Sequence, residues 1–544
     1  MRTACCGATS DRTLVASDLH SDSNLTLQSA RDITVSGSTV SATGETGVQA
    51  KGDIKIVAAE NTARDTTRTD NRGFTASTRE TAPGSHEYRV DAGLKDQQHT
   101  NVTETTRQQG ASIRGRAVAV NAGGDVSIKG SDLAATGGDV NLKGKSIELL
   151  AANDSTDSKT RDITTGGGIV WSASLGKVGS GLEFVRQDSK DNANRTTAKT
   201  SNVTATGNVQ VQADNTLVNE GSRIVAGSGL QVNAARVDNR AAHNTESSSH
   251  TETGWQAGLG VSAEISGLSN PLEKVVKGLV NGTMPQAALM DGMELASVGL
   301  DGQVGYHNKT QAQQDSTALV SQLSGATVQV NVGGKLQDEG TQYRATDGAL
   351  NIQAGSHDAS AAIDTHSRSE QGVAAKVGVR VYTKTGEDVN VRANGSGEFN
   401  RAQEAASTAQ AGRYAGAKGV SIATQGDARY EAGDFDGGAG SVNLNAGGKL
   451  ALEQTTDTRS QSAMGLSASG SLALETAEGT NLTPEGHLKF DYQPDNSPAN
   501  EAHVATFRGQ ERLRLSGATV GGDLLKGENK ERQSLQGKID QAIN

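Results

Sequence analysis

Ten histidines, two cysteines and a scatter of carboxylates are the side chains of this sequence that could do chemistry, and their spacing argues against most of it. A zinc site needs three or four nitrogen, sulfur or oxygen ligands gathered at short paired spacings. His243 and His250 stand seven residues apart in a polar run with no cysteine beside them, and they read as solvated surface histidines. Cys5 and Cys6 are adjacent, cannot staple a fold of this length, and read as unconstrained thiols. Gly258-Leu-Gly260-Val-Ser-Ala263 has the spacing of a dinucleotide loop, but it continues as an alternating strand instead of opening a helix. No Gly-x-Ser-x-Gly nucleophile elbow occurs. Gly437-Gly-Ala-Gly-Ser-Val442 is like a calcium-binding turn, except that Val442 stands where the ligand aspartate belongs, so Asp434 and Asp436 read as turn carboxylates. Lys51-Gly52-Asp53 is like a cell-attachment tripeptide and reads as the turn before a strand. Catalysis needs polar groups converging in a pocket. None of these sets converges, and the expectation is a protein that is not an enzyme, with no cofactor and no metal.

The elements around these residues explain the scatter. The chain has 544 residues, 34 % hydrophobic, with 67 Gly but only 6 Pro and 3 % aromatics. Collagen is excluded by the shortage of proline, and no apolar run is long enough for a transmembrane helix. The start has no apolar core of a secretory signal. Net charge is −11 and Lys and Arg form no stripe, which argues against a nucleic-acid partner.

Periodicity argues against disorder. One stretch recurs five times, as Gly52-DIKIVAAEN, Gly144-KSIELLAAND, Gly229-LQVNAARVDN, Gly348-ALNIQAGSHD and Gly448-KLALEQTTDT, with Ile54, Ile147, Leu230, Leu350 and Leu450 as equivalents. Apolar–polar alternation marks short strands, and Gly, Asn and Asp clusters mark tight turns. Strand pairs return about every 20 residues, as from Val35 to Ile56 or Val126 to Ile147. This predicts an all-β, right-handed parallel β-helix whose coils pair with the coils above and below. Its narrow interior suits Ile, Val, Leu and Ala, and bulky rings fit it poorly.

The expected organisation is a disordered start at 1–13, a single solenoid over 14–525 and a polar tail at 526–544. Coils are expected at 14–61, 111–154, 202–240, 326–360, 417–455 and 504–525, roughly eleven in all at about 20 residues each. Insertions fill 62–110, 155–201, 241–325, 361–416 and 456–503, and all six prolines fall in them. Each insertion begins with a Ser/Thr-rich polar run and continues as strands of a second kind, which read as β-hairpins leaving the solenoid. The third also carries Asn270-Pro271 ahead of an apolar stripe of Leu272, Val275, Val276 and Leu279, predicting one short helical insertion within 271–297.

The repeated Gly-Asp-Ile-x-Ile-x-Ala-Ala-Glu-Asn stretch with its Ser/Thr-rich sequel resembles the haemagglutinin-repeat region of two-partner-secreted bacterial exoproteins. These include filamentous haemagglutinin-type adhesins and the stick proteins of contact-dependent growth-inhibition toxins. GDIKIVAAENTARDTTR, KSIELLAANDSTDS and NTESSSHTETGWQAGLGVSA carry the resemblance, which runs from about Leu14 to Leu525. It implies export through an outer-membrane transporter partner, a place at the bacterial cell surface or outside the cell, and roles in adhesion, biofilm or toxin delivery. The sequence departs from the family pattern in lacking a secretion-domain Asn-Pro motif, a signal peptide and a toxin boundary, so it reads as an internal piece or a truncated frame.

Two functions follow as expectations. One is a structural adhesin, a rod whose hairpins touch a target-cell receptor or glycan. The other is a delivery segment whose hairpins engage a target outer membrane, because Trp255 to Ile265 alternates over the 9–11 residues a membrane-spanning strand needs. The contact residues would be Trp171, Leu175, Trp255, Leu259, Val261, Ile265, Val377, Val379, Val381 and Leu466. The plainer expectation is that these apolar faces pack on the coils.

Overall fold

Alternation in short segments separated by turn residues builds a parallel β-helix in the computed structural model, which describes residues 2–80, 88–174, 177–266, 294–474, 485–493, 502–510, 513–516 and 519–521. Eleven short strands, from Asp18–Ser21 to Thr506–Arg508, stack in parallel as one face of the solenoid. An 18-stranded sheet supplies the other two faces. They merge because Val209–Glu220, Gly229–Arg240, Thr327–Glu339 and Leu350–Ser360 each run through the corner as one strand. The expected returns are direct partners: Val35 pairs with Ile56, and Val126 with Ile147. Inward side chains form a dry column that includes Ile54, Ile128, Leu149, Val211, Leu336 and Ile422, all essentially inaccessible to solvent.

Every second coil ends in a hairpin. The arms are Ala59–Glu80 and Tyr88–Gln109, Ala152–Ala173 and Lys177–Lys199, Ala242–Ser266 and Glu294–Leu319, Ala362–Thr383 and Asn390–Gln410, and Thr458–Leu474 and Glu485–Gln493. They do not stand apart. With the strand Arg2–Arg12 at one edge, the ten arms form a single 11-stranded antiparallel sheet beside the solenoid. Where a coil continues without a hairpin, the corner residue adopts a left-handed conformation: Gly37, Gly130, Gly221, Gly340 and, alone among the described non-glycines, Ala432. Each donates its N–H to the end of the next coil, as Gly221 does to Arg240 O at 2.9 Å and Ala432 to Glu453 O at 3.0 Å.

An Asn or Asp near each hairpin root clasps the chain before it. Leu14 N–H donates to Asn61, Gln108 to Asp154, Ala198 to Asn244, Ala318 to Asp364 and Ala409 to Asp457, at 2.5–2.8 Å. This is the physical content of the final Asn or Asp in the AAEN and AAND copies: it satisfies a backbone donor in the preceding return arm or coil entry.

Three expectations are corrected and a fourth falls on residues the structure does not describe. Residues 2–12 are a strand paired to Thr62–Arg72, not a disordered start, because the outer arm of the first hairpin offers an unpaired edge. Leu230 and Leu350 lie one face away from Ile54, whose row continues through Val237 and His357, because the run-on strands carry two similar apolar stretches. Rings do enter the solenoid: Tyr343, Tyr414, Phe435 and Phe507 stack in line at centroid spacings of 4.9–5.5 Å, since in-register coils superimpose like side chains. The helix expected at 271–297 falls almost wholly outside the described residues, among which there is no helix; its last residues, 294–297, begin a strand. The six prolines also lie outside the described residues.

Candidate functional site

The outer half of the hairpin sheet is where sequence alternation becomes a surface. Arms alternate with period two, so cross-strand partners share a face. Leu94, Gly167, Phe184, Ala257, Val304 and Val377 are successive partners across six arms. One step towards the tips, Ile169, Leu182, Leu259, Gly302, Val379 and Ala393 form the next row. Trp171, Ser180, Val261, Leu300 and Val381 form the one after. All lie on one face, and its large apolar side chains other than Trp171 are exposed: Leu94 at 67 %, Leu259 at 66 % and Leu300 at 58 %. The expectation that these faces pack on the coils is therefore overturned.

The row at the inner border holds Arg186, Trp255 and Tyr306 as direct partners, so the aromatics sit where the apolar rows meet the polar half of the sheet. From Trp255 to Val261, the exposed part of this strand, the rise is about 20 Å at about 3.4 Å per residue. Of the expected contact residues, Trp255, Leu259, Val261, Val377, Val379, Val381 and Leu466 are exposed on this face. Trp171 is partly buried against a small cluster of Val90, Ala173, Val178 and Ala263. Leu175 and the Ile265 side chain lie outside the described residues. Sequence reasoning missed Leu182 and Phe184, although the alternation Leu182-Glu-Phe184 carries the signal.

The opposite face is polar, glycine-rich and concave. A Cβ on Gly93 would lie 2.6 Å from Gly168 Cα, and one on Gly181 2.7 Å from Gly260 Cα, so paired glycines let the arms crease towards this face. On the apolar face, Gly302 and Gly397 have open space, with nearest atoms at 4.0 and 3.9 Å. Buried charges line the hollow. Arg89 bonds Asp91 at 2.6 Å and also Glu183. Arg380, nearly inaccessible, pairs with Glu264, donates to Ser297 Oγ at 2.9 Å and lies over the Tyr382 ring. Nearer the solenoid the polar arms carry ion pairs such as Arg161–Asp188, whose hydrogen bonds hold the Asp188 carboxyl below its ordinary range.

The motifs that could do chemistry are accounted for. Gly258–Ala263 lies within a strand. Asp53 accepts the Asp125 N–H at 2.9 Å in a turn ladder, and Asp434 binds Arg508. His250 contacts Asp191 at 2.6 Å. One cluster was not foreseen. Asp338, Tyr343, His357, Tyr414 and Tyr430 form a buried polar knot inside the solenoid. Asp338 accepts from Tyr343 at 2.9 Å and Tyr414 at 3.1 Å and contacts His357 Nε2 at 2.7 Å. Burial pushes the three tyrosine hydroxyls up, so they stay protonated; Tyr343 and Tyr414 donate to Asp338, and Tyr430 contacts His357 Nδ1 at 3.1 Å. With no solvent access, the knot is structural. Among the described residues no group of three or more His, Cys, Asp or Glu is placed to hold a metal ion.

Comparison with known proteins agrees with this architecture. The family model described as hemagglutinin repeat matches residues 8–180, 182–279 and 302–482. A hemolysin of Serratia marcescens is 32 % identical over 83 % of this chain and 28 % of its own length. A hemolysin of Proteus mirabilis is 24 % identical over 98 % of this chain and 35 % of its own. The tRNA nuclease CdiA-2 of Burkholderia pseudomallei is 25 % identical over 50 % of this chain and 8 % of its own. The chain thus spans about a third or less of these relatives. No solved structure matches.

Proposed function

We propose, from the premise that this chain belongs to the hemagglutinin-repeat family, that it is a non-catalytic segment of a secreted exoprotein whose hairpin sheet seats on a target membrane. The observation that carries this reading is the exposed apolar face of the sheet, from the Leu94–Val377 row to Val261, Leu300 and Val381, bordered by Trp255 and Tyr306 and backed by a concave, charged, glycine-rich face. An apolar outer band of about 25 Å with aromatic borders and a polar inner side is the surface by which β-sheets meet lipid. The exposed run from Trp255 to Val261 rises about 20 Å, most of that band. The hemolysin name of two relatives supports the same direction. No described helix is long and apolar enough to cross a membrane, and strands are the elements that would enter it. In this reading the solenoid is the rod that holds the five hairpins in line. An outer-membrane two-partner transporter delivers the chain to the cell surface or the medium.

Adhesion to a receptor or glycan is the second reading. It is favoured by a hollow of about 660 Å³ in the polar half of the sheet, lined by Ser247, Ser248, Asn192, Gln313 and Gln403. Flotation with liposomes made from outer-membrane lipids separates the two. The membrane reading predicts co-flotation with a blue shift of Trp171 and Trp255 emission. Binding to target cells without flotation or a shift would favour the receptor reading.

A further inference from the structure

The five hairpins are joined edge to edge at four seams, and the ion pairs there differ in kind. At the first seam His99 stands directly opposite Asp162, with Nδ1 2.6 Å from Oδ1. At the second His250 stands opposite Asp191, again at 2.6 Å. At the third His366 stands opposite Asp315 in direct hydrogen-bond contact. At the fourth, a guanidinium replaces the imidazole: Arg459 bonds Glu404 at 2.9 Å. Inside the first two hairpins the links are also arginine, with Arg72–Asp96 and Arg161–Asp188 at 2.6 Å. The same chemistry thus recurs at three successive seams, in the polar half of the sheet and on the concave face.

We propose that the hairpin sheet is a pH-sensitive plate whose first three seams tighten when these histidines are protonated in mildly acidic medium. With a neutral imidazole each pair is a hydrogen bond to a carboxylate; with an imidazolium it becomes an ion pair as well. The half-exposed setting keeps each increment small, but three seams in series act on one sheet. The surroundings support the assignment. His99 faces only uncharged side chains of the first arm, Thr67, Thr69 and Asn71, and on the neighbouring arm Asp162 between Thr160 and Thr164. His250 faces Asp191, its own-strand Glu252 at 3.9 Å, and Lys309, which pairs with Glu370 at 2.9 Å. His366 faces Asp315, its own-strand Asp364 and Arg368, and Glu404 across the fourth hairpin. Lys309–Glu370 also bridges the third seam with an ion pair that needs no imidazole, so the first two seams respond most. The His366 hydrogen bond holds Asp315 below the ordinary carboxylate range, so the third seam keeps its anion into more acidic medium. Cohesion gained through imidazole protonation is present in acid and is lost where the imidazoles are neutral.

Hydrogen exchange of the full chain at pH 7.5 and 5.5, corrected for intrinsic rates, tests this. Arm segments flanking the first two seams should be more protected at the lower pH, on the order of two- to fivefold, which converts to about 0.4–1 kcal/mol and lies within the range of an exposed ion pair. Segments at the fourth seam and in the solenoid should not change. The triple variant H99Q, H250Q, H366Q should lose the pH response with solenoid protection intact, and R459H should confer one on the fourth seam. An equal response at the fourth seam of the wild type, or a response that persists in the triple variant, would overturn the proposal.

Discussion

The solenoid and the hairpin sheet use the same alternating pattern to opposite ends. In the coils, Ile54, Val120 and Leu149 point into a column closed on three sides, and almost no apolar surface is left. In the sheet, Leu94, Leu259 and Val377 point away from the concave face into solvent. Three stacked faces can enclose an interior, whereas one sheet encloses only the side towards which it bends. The paired glycines Gly93–Gly168 and Gly181–Gly260 bend it towards its polar side. Alternation therefore specifies which residues share a face, and curvature decides whether that face is hidden.

Substitutions should divide along this line. The largest expected effect is Asp338→Ala, which leaves Asn239, Tyr343, Tyr414 and His357 without their shared acceptor. Breaking such a buried charged network costs about 3–5 kcal/mol, read as a lower denaturation midpoint. Next is Ile147→Ala in the coil interior, at about 2–5 kcal/mol by the same measurement. If Leu259→Ala costs as much as Ile147→Ala, the contrast between the two regions fails; the account places it at about 0.5 kcal/mol or less, as for a surface site.

Gly221→Ala should destabilise by at least about 1–2 kcal/mol, because the left-handed corner penalises a Cβ and the Ala242 methyl would sit 2.7 Å away. At the equivalent corner Ala432→Gly should stabilise by up to about 1 kcal/mol, the relief of that strain less the added freedom of the unfolded chain. Asn244→Ala removes a hairpin clasp and should cost about 0.5–2 kcal/mol, as for other side-chain caps of backbone donors.

The smallest effect concerns acid. Asp188, Asp315 and Glu370 are held below their ordinary ranges, first by hydrogen bonds from Arg161, His366 and Lys309 respectively. Their contribution is present above the unfolded carboxylate range and is lost as pH falls through the lowered folded values. Exchange protection in the polar arms should therefore fall below about pH 4, while the uncharged coil column around Ile128 and Val211 keeps its own.

Much of the fold was legible because it is local. Val35 and Ile56 are one coil apart, and glycine, asparagine and aspartate announce the turns. The hairpins were legible as alternating arms, and so was the shared face of Trp255, Leu259 and Val261. What stayed hidden depends on distant partners. Nothing near Val377 tells that Val304, from another hairpin, lies beside it, or that five hairpins form one sheet. Leu230 and Leu350 were misplaced by one face because in the run-on strands the turn that separates the faces is missing. The buried knot was invisible because Asp338, His357 and Tyr414 are brought together only by stacking the coils.

The central claim is that the convex apolar face meets lipid and the concave face meets water. It is tested most directly by nitroxide labels placed singly at positions 255 to 263, with access to oxygen and to a water-soluble nickel chelate measured after mixing with liposomes. The account predicts a period-two alternation, with odd positions such as 259 and 261 reached by oxygen and even positions such as 258 and 260 reached by the chelate. Equal chelate access at odd and even positions, with and without lipid, would contradict it.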